Sequence, residues 1–140
     1  MYNIDIREIN SSAVLPLRHQ VLWPNKPIEF CKVADDWIAW HFGAFIEERL
    51  VSVASVYPKG NTARLRKFAT LQDYQARGIG SQVLLHILKQ LQSRGITLFW
   101  CDARESALKF YEKFGMKSEG ERFYKSDVPY YKMCLMLNNE

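Results

Sequence analysis

Residues 75–81 read Gln-Ala-Arg-Gly-Ile-Gly-Ser, and this stretch decides how the rest of the chain is interpreted. It follows residues 64–70, which are typical of a strand, and it leads into residues 79–92, where apolar side chains recur at helical spacing. Gly78 and Gly80 allow the backbone to approach a ligand closely or to adopt positive φ. The first turn of the helix leaves N–H groups unpaired at the positive end of the helix dipole. The stretch therefore predicts a phosphate-binding loop.

Two side chains of this stretch, Gln75 and Arg77, would add donors to such a loop. A P-loop requires Gly-Lys-Ser or Gly-Lys-Thr, which occurs nowhere in the chain. A dinucleotide-binding loop requires a third glycine or alanine, and Val83 occupies that position. A phosphate loop of another kind and an ordinary glycine-rich turn remain, and the flanking sequence favours the first.

The composition is that of an ordinary globular domain. The 140 residues suit a single domain, 1–140, that buries about two-thirds of its unfolded surface. No apolar run approaches the roughly 18 residues of a membrane-spanning helix, and the N-terminus does not resemble a signal peptide, so we expect a cytoplasmic protein without membrane contact. The three cysteines are widely spaced and predict reduced thiols, and no spacing predicts a metal site.

The formal net charge of +4 raises the alternative of a nucleic-acid-binding protein. Lys and Arg are scattered, and their one cluster in the sequence is Arg64-Leu65-Arg66-Lys67. A modest positive excess also suits a small anionic ligand. We therefore expect no nucleic-acid partner.

Hydrophobic periodicity predicts elements in the order β-α-(β-β-β)-α-β-α-β-β. The predicted strands are residues 2–7, 40–46, 50–57, 63–70, 97–101, 116–124 and 131–137. The predicted helices are one that Ser11 and Ser12 cap and two over residues 79–92 and 105–114. The strand over residues 97–101 follows the strand over residues 63–70 through the glycine loop and a helix, so we expect these two strands to be parallel. The fold class is therefore α/β (α+β), a mixed but mostly antiparallel sheet of about seven strands flanked by helices.

The loop and the segment beyond it resemble motif A of the GNAT superfamily of acetyltransferases. Residues 75–80 fit the pattern [Gln/Arg]-x-x-Gly-x-[Gly/Ala], and residues 107–116 look like the A-x-x-F-Y-x-x-x-G-F segment of that family. The likeness covers residues 64–120, with both motifs in the order and spacing of the family. Residues 17–24 and 128–133 are similar to a bacterial subgroup of small GNAT proteins without an assigned substrate.

The resemblance implies an N-acetyltransferase that moves an acetyl group directly from acetyl-CoA to a primary amine of a small molecule or peptide. In the family, the strand before the loop parts from its neighbour and pairs with the pantetheine arm, and these positions correspond to Phe68, Ala69 and Thr70. The pyrophosphate would be held by Gln75, Ala76, Arg77, Gly78, Ile79, Gly80 and Ser81. A non-catalytic acyl-CoA-binding module is the alternative from another class.

Tyr111 matches the family tyrosine that contacts coenzyme A and donates a proton to its departing thiolate. A phenol with a pKa of about 10 and a thiol with a pKa of about 8.5 are close enough for this transfer. The alternative is an aromatic stripe with Phe110 and Phe114 that serves packing alone.

Asp102 departs from the family pattern, which places there an asparagine that contacts the pantetheine arm. The carboxylate would accept a hydrogen bond from the cofactor, pair with Arg104, act as a base, or cap the following helix.

The acceptor site is predicted from two residues, His41 and Arg66. Histidine ionises near neutrality, so His41 is a candidate base or substrate contact, with a structural role as the alternative. Period-two alternation places Arg66 on the side of Arg64 and Phe68, where it would meet a substrate carboxylate or remain an exposed charge. Tyr130 replaces a histidine of the subgroup, so no histidine-dependent step is carried over. Since dimers are common in the family, a homodimer is an alternative to a monomer.

Overall fold

The computed structural model describes residues 3–137, which form one seven-stranded sheet with helices on both faces. The strands are β1 (Asp5–Ile9), β2 (Trp40–Ile46), β3 (Arg49–Lys59), β4 (Thr62–Thr70), β5 (Leu98–Arg104), β6 (Lys117–Lys125) and β7 (Val128–Met136). The α-helices are α1 (Leu15–Leu22), α2 (Ile79–Ser93) and α3 (Leu108–Glu112). Short 3-10 helices occupy Ile28–Cys31, Gln72–Tyr74 and Glu105–Ala107.

The strand order confirms the predicted mixed, mostly antiparallel sheet. The order across the sheet is β1-β2-β3-β4-β5-β7-β6. Among the neighbouring strands of residues 3–137, β4 and β5 are the one parallel pair. Helix α2 forms the crossover between them, as a parallel connection requires.

Two boundaries differ from the prediction near the C-terminus. The helix predicted over residues 105–114 begins as a 3-10 turn, and its α-helical part is Leu108–Glu112. The last strand begins at Val128 rather than at residue 131. At the other end, residue 2 of the predicted first strand lies outside the described residues.

The predicted serine cap of α1 is wrong. The N-cap residue is Val14, whose side chain makes no capping hydrogen bond. Asn10 organises the entry instead, since its Oδ1 accepts hydrogen bonds from the Ala13 N–H at 2.9 Å and the Ser12 hydroxyl at 2.7 Å. Pro16 stands in the first turn, where a missing N–H leaves no helical bond unmade.

Helix α2 is held to the sheet by one continuous apolar face. Its buried residues recur at helical spacing and are Ile79, Val83, Leu84, Ile87 and Leu91. Burial of side chains of this size contributes about 1.5–3 kcal/mol each, so packing fixes the N-terminal end of α2 beside the centre of the sheet. No helix among the described residues is long and apolar enough to span a bilayer.

Helix α1 packs on the opposite face of the sheet, and a buried arginine anchors it there. The Arg18 side chain is 0% exposed. Its Nη1 and Nη2 donate to the two carboxylate oxygens of Asp36 at 2.8 and 3.1 Å. Nη2 also donates to Ser55 Oγ at 2.8 Å and Tyr57 Oη at 3.2 Å on β3. Arg18 therefore joins α1, the loop before β2 and the centre of the sheet.

The charge of Asp36 is stabilised inside this network. Burial alone would raise the pKa of this carboxyl, but hydrogen bonds from Arg18, Tyr57 and the Val33 N–H outweigh it and lower the pKa to about 2. Burial and the hydrogen bond to Asp36 raise the pKa of Tyr57 to about 12. Both groups therefore keep fixed protonation states at neutral pH.

A β-bulge at Lys67 reverses the side-chain alternation of β4. Arg66 pairs with Ser55 and Ala69 pairs with Val53, so three steps on β4 oppose two on β3. Lys67 has a φ of 56°, the left-handed conformation of a bulge residue. The predicted common side of Arg66 and Phe68 is therefore wrong: Arg64 and Arg66 face α1, while Phe68 faces α2.

The pairing between strands β4 and β5 ends partway along the two strands. Their parallel pairing covers Thr62, Ala63 and Arg64, opposite residues 98–100. Beyond that point β4 continues to Thr70 and β5 to Arg104 without pairing to each other. The separation leaves the edge of β4 open in the middle of the sheet.

Candidate active site

A cavity of about 650 Å³ lies where β4, the glycine loop, α2 and α3 meet, and we name it the loop cavity. Its lining residues are Phe68, Ala69, Thr70, Tyr74, Gln75, Ala76, Gly78, Gly80, Ser81, Ala107, Phe110, Tyr111 and Lys113. The structure thus brings together most residues that the resemblance assigned to the cofactor. The open edge of β4 forms one wall, and the first turn of α2 forms another.

The backbone of the loop takes an unusual course where it lines this cavity. Ala76 has a φ of 59° and Gly78 a φ of 81°, so the chain turns twice through the left-handed region before α2. Gly78 is the N-cap of α2 and offers no side chain to the first turn. Alternating backbone conformations and an uncapped helix start make an anion-binding concavity of N–H groups.

The predicted loop residues contribute in different ways. The Ile79 side chain is buried in the core, so its contribution is limited to the backbone. Gln75 does not point into the phosphate region with a free amide, because its Nε2 donates to the Thr70 carbonyl at 2.9 Å and ties the loop to the end of β4. Ser81 lines the loop cavity, whereas Arg77 does not.

Gly80 lets the loop cavity extend to its aromatic wall. A Cβ atom at Gly80 would lie 3.5 Å from the Phe68 ring and 3.8 Å from the Phe110 ring. These two rings are 6.1 Å apart between centroids, and Phe110 packs edge-on against Tyr111 at 5.1 Å. The aromatic stripe considered from the sequence therefore exists, and it forms the apolar side of the cavity.

A second cavity of about 420 Å³ opens on the α1 face, and we name it the basic cavity. Its lining residues are Leu22, Trp23, Arg64, Leu65, Arg66, Lys67, Phe68, Cys101, Asp102, Ala103, Arg104, Ala107, Tyr111, Lys125 and Tyr130. Phe68, Ala107 and Tyr111 line both cavities. The two cavities therefore meet at the opening between β4 and β5.

Tyr111 stands at this junction and is partly buried by the surrounding protein. Burial, followed by the neighbouring Cys101 thiol, raises the pKa of the phenol well above its usual value. The hydroxyl is therefore protonated at neutral pH and able to donate.

The same surroundings also raise the pKa of the Cys101 thiol. Burial, followed by the charge of Asp102, raises the pKa of Cys101 to about 12, against a partial opposing effect of its hydrogen bond with Tyr111. Another thiolate at this position would also be more basic than in water, because the same desolvation acts on it. Burial thus raises the pKa values of the Tyr111 phenol and the Cys101 thiol together.

Asp102 lies in the basic cavity and not in the loop cavity. Its Oδ2 accepts hydrogen bonds from Arg64 Nη2 at 2.9 Å and Lys125 Nζ at 3.2 Å. The predicted pairing with Arg104 is therefore replaced by pairs with residues far away in sequence. The capping role is wrong, since Asp102 is inside β5 and Arg104 and Ala107 occupy the N-cap positions of the two helices that follow.

His41 lines neither the loop cavity nor the basic cavity. The side chain is 3% exposed, Nδ1 lies 2.6 Å from Ser55 Oγ, and Nε2 lies 2.8 Å from the Asp36 carbonyl oxygen. Both ring nitrogens are occupied by protein groups, so the structural alternative fits His41. Arg66, by contrast, does reach the basic cavity.

Sequence reasoning did not assign Lys67 to the site, although this lysine lines the basic cavity together with Trp23 and Lys125. Lys67 carried a detectable signal. Strict alternation from Leu65 to Ala69, both buried, would have placed this lysine on a core-facing position. A charge at such a position indicates a bulge or a buried partner.

The sheet parts beside a glycine-rich loop, and the cavities on the two faces of this opening leave room for two substrates that meet at one junction. The family model described as the Acetyltransferase (GNAT) family matches residues 8–116, so the chain belongs to this family and is an N-acetyltransferase. The family resemblance identified from the sequence is confirmed.

A relative by sequence supports this assignment, and two solved structures share the fold. The chain is 32% identical over 135 residues to the uncharacterised N-acetyltransferase YitI of Bacillus subtilis, covering 90% of this chain and 89% of that protein. Among solved structures, the ribosomal-protein-S18-alanine N-acetyltransferase of Escherichia coli superposes with a TM-score of 0.80 at 17% identity, covering 96% of this chain and 94% of that one. A GNAT family acetyltransferase of Elizabethkingia anophelis with acetyl-CoA bound gives a TM-score of 0.77 at 15% identity, covering 96% and 99%.

Proposed function

We propose that this protein transfers an acetyl group directly from acetyl-CoA to a primary amine of a small molecule or peptide. The observation that carries the proposal is the meeting of the two cavities at Phe68, Ala107 and Tyr111. An acyl donor in the loop cavity and an amine in the basic cavity would come together at this junction and approach each other from opposite faces of the sheet.

The residues of the loop cavity suit acetyl-CoA. The backbone N–H groups between Ala76 and Ser81 would hold the pyrophosphate, and the open edge of β4 at residues 68–70 would pair with the pantetheine arm. Bound there, the thioester supplies the acetyl group. The same strand edge would stabilise negative charge on the acetyl oxygen.

Tyr111 would complete the transfer by donating its proton to the departing sulfur. Its hydroxyl is protonated at neutral pH, and because Tyr111 lines both cavities it would lie beside both reactants. No residue is assigned as the base for the amine. We further propose that residues 1–140 form a single domain; the cytoplasmic location and the homodimer stay predictions.

The first test is thermal unfolding with increasing acetyl-CoA, with free coenzyme A and ATP as controls. A ligand at about 100 times its dissociation constant adds about 2.7 kcal/mol to stability, which raises the melting temperature of a domain of this size by several degrees. Both forms of coenzyme A are expected to give this rise and ATP little. Melting that is unchanged at millimolar acetyl-CoA would refute the proposed donor. Release of thiol with a panel of amines then separates an enzyme from a binding module that has lost its acceptor.

Gly78→Ala is expected to weaken acetyl-CoA binding about tenfold. A Cβ atom at a φ of 81° is strained by about 1–2 kcal/mol, and relief of the strain turns the loop N–H groups away from their binding directions. Isothermal titration measures the dissociation constant directly.

The matched control for this variant is Gly60→Ala. Gly60 has a φ of 61° in the turn between β3 and β4. Apart from chain neighbours, no heavy atom of the described residues lies within 4 Å of a Cβ added at Gly60 or at Gly78. Both variants should lose similar stability, but affinity should fall in Gly78→Ala alone. Equal affinities for acetyl-CoA in the two variants would remove the loop from the binding site.

A further inference from the structure

We infer that the acetyl acceptor is a small amine that carries an anionic group, a carboxylate or a phosphate, and that Arg66 and Lys67 bind this group. The inference rests on the proposed function and adds the substrate class to it. The juxtaposition that carries it is a cluster of cations on the acceptor side of the opening between β4 and β5.

The basic cavity holds far more positive than negative charge. Its ionic lining residues are one carboxylate, Asp102, and five cations, Arg64, Arg66, Lys67, Arg104 and Lys125. Asp102 is already shared by Arg64 and Lys125, at 2.9 and 3.2 Å. Within residues 3–137, Arg66, Lys67 and Arg104 have no carboxylate within 4.0 Å. Three positive charges therefore face the cavity without a counter-ion from the described chain.

Two of the five cations that line the basic cavity, Lys67 and Arg64, lie in surroundings that disfavour their charge. Lys67 is half-buried on the bulge, and burial, followed by the charges of Arg66 and Arg18, lowers the pKa of its amino group. Arg64 is 28% exposed, and its buried Nε has no hydrogen-bond partner among the described residues. Like charges gathered in a partly desolvated pocket destabilise one another, and a bound anion would remove this penalty.

The cofactor does not account for this charge. The glycine loop that would hold the pyrophosphate lines the loop cavity, where Lys113 is the one lining residue with an ionic side chain. The five cations line the basic cavity, on the face of α1. Phosphate recognition and the cation cluster are thus separated by the sheet, so the cluster is available to the second substrate.

The size and walls of the basic cavity indicate a small molecule. A volume of about 420 Å³ is within the usual range of small-ligand sites, roughly 300–1,000 Å³. Trp23 and Tyr130 supply aromatic wall on the outer side, and the ring of Tyr130 lies 4.8 Å from Lys125 Nζ. An amine with an acidic group and a short apolar body, such as an amino acid, fits this combination.

The test compares matched acceptors that differ in charge. The acid members are leucine and phenylalanine, each paired with its α-carboxamide, and O-phosphoethanolamine paired with ethanolamine. The acid member of at least one pair is expected to have a kcat/KM about tenfold or more above its partner, since a charge-assisted hydrogen bond contributes about 1.5–3 kcal/mol. Amidation lowers the proton affinity of the amine, so reactivity alone would favour the amide. Preference among carboxylates or for the phosphate identifies the anion.

Two variants test whether the preference for acidic acceptors depends on the cations of the basic cavity. Arg66→Gln and Lys67→Asn remove one charge each, and asparagine tolerates the left-handed backbone at position 67. Both are expected to reduce the acid-to-neutral ratio of kcat/KM several-fold. Lys89→Gln removes an exposed charge from α2, away from both cavities, and should keep the wild-type ratio.

Melting curves provide a second readout that does not require turnover. In the presence of coenzyme A, the acid member of a favoured pair should raise the melting temperature more than its neutral partner. A preference for neutral or polycationic amines, an unchanged ratio in both variants, or no preference in either turnover or melting would overturn the inference. A missing acetyl-CoA shift would instead overturn the proposed function, so the two failures are distinguishable.

Discussion

Replacement of Arg18 by methionine is expected to lower the free energy of unfolding by about 3–5 kcal/mol. The guanidinium is fully buried and donates to Asp36, Ser55, Tyr57 and the Cys31 carbonyl. Methionine fills much of the volume but leaves Asp36, 12% exposed, as a buried charge without its main partner. Urea unfolding at neutral pH measures the change.

Arg122→Met is the matched control for this loss. Arg122 pairs with Glu105 at 3.2 Å, but both side chains are more than 40% exposed, so the expected cost is under about 1 kcal/mol. The double variant Arg18→Met/Asp36→Asn should lose less than the sum of its single changes, because it removes the buried charge together with its partner. Strict additivity, or a loss for Arg18→Met as small as that for Arg122→Met, would contradict the proposed role of the ion pair.

The pH dependence of the free energy of unfolding in acid is an independent test of the same network. The pKa of Asp36 is lowered to about 2 in the folded protein, against about 3.9 for an unperturbed carboxyl. Its contribution is therefore fully present above about pH 4 and is lost as the pH falls toward 2. The wild type should lose this increment between these pH values, and the double variant should lack it.

Tyr111→Phe is expected to lower kcat about 100-fold and to leave the KM for acetyl-CoA nearly unchanged. The variant keeps the ring that packs against Phe110 and removes the hydroxyl that would protonate the leaving sulfur. Burial raises the pKa of Tyr111, so kcat of the wild type should show no alkaline decline from this group below about pH 10. Steady-state thiol release with the best amine of the panel gives both constants.

Tyr131→Phe is the control, because Tyr131 packs against the core on β7 and lines neither cavity. It should retain the wild-type kcat. Should Tyr111→Phe also retain it, the hydroxyl has no part in proton transfer and Tyr111 serves as cavity wall. A rise in the KM of Tyr111→Phe without a change in kcat would also mean that the hydroxyl takes no part in proton transfer.

The loop and the helix beside it were predictable from the sequence because their physics is local. Gly78 supplies the positive φ that the start of α2 needs, and the apolar face of α2 repeats at helical spacing. The family pattern around Tyr111 located a second part of the candidate site, because the spacing of two motifs on consecutive elements determines how close the motifs lie in the fold. The antiparallel meander of β2, β3 and β4 and the parallel crossover to β5 followed from the alternation of segments and the handedness of crossovers.

The sequence by itself thus determined the fold class, the family and the glycine loop that is proposed to hold the cofactor. Tertiary structure alone decided the acceptor side. A single extra residue at Lys67 turned Phe68 away from Arg66, and no local pattern predicts where a bulge interrupts a pairing register. Asp102 found its partners on β4 and β6, and His41 was enclosed by β3 and the loop before β2. These contacts join residues far apart in the chain, so their geometry depends on how the whole sheet packs.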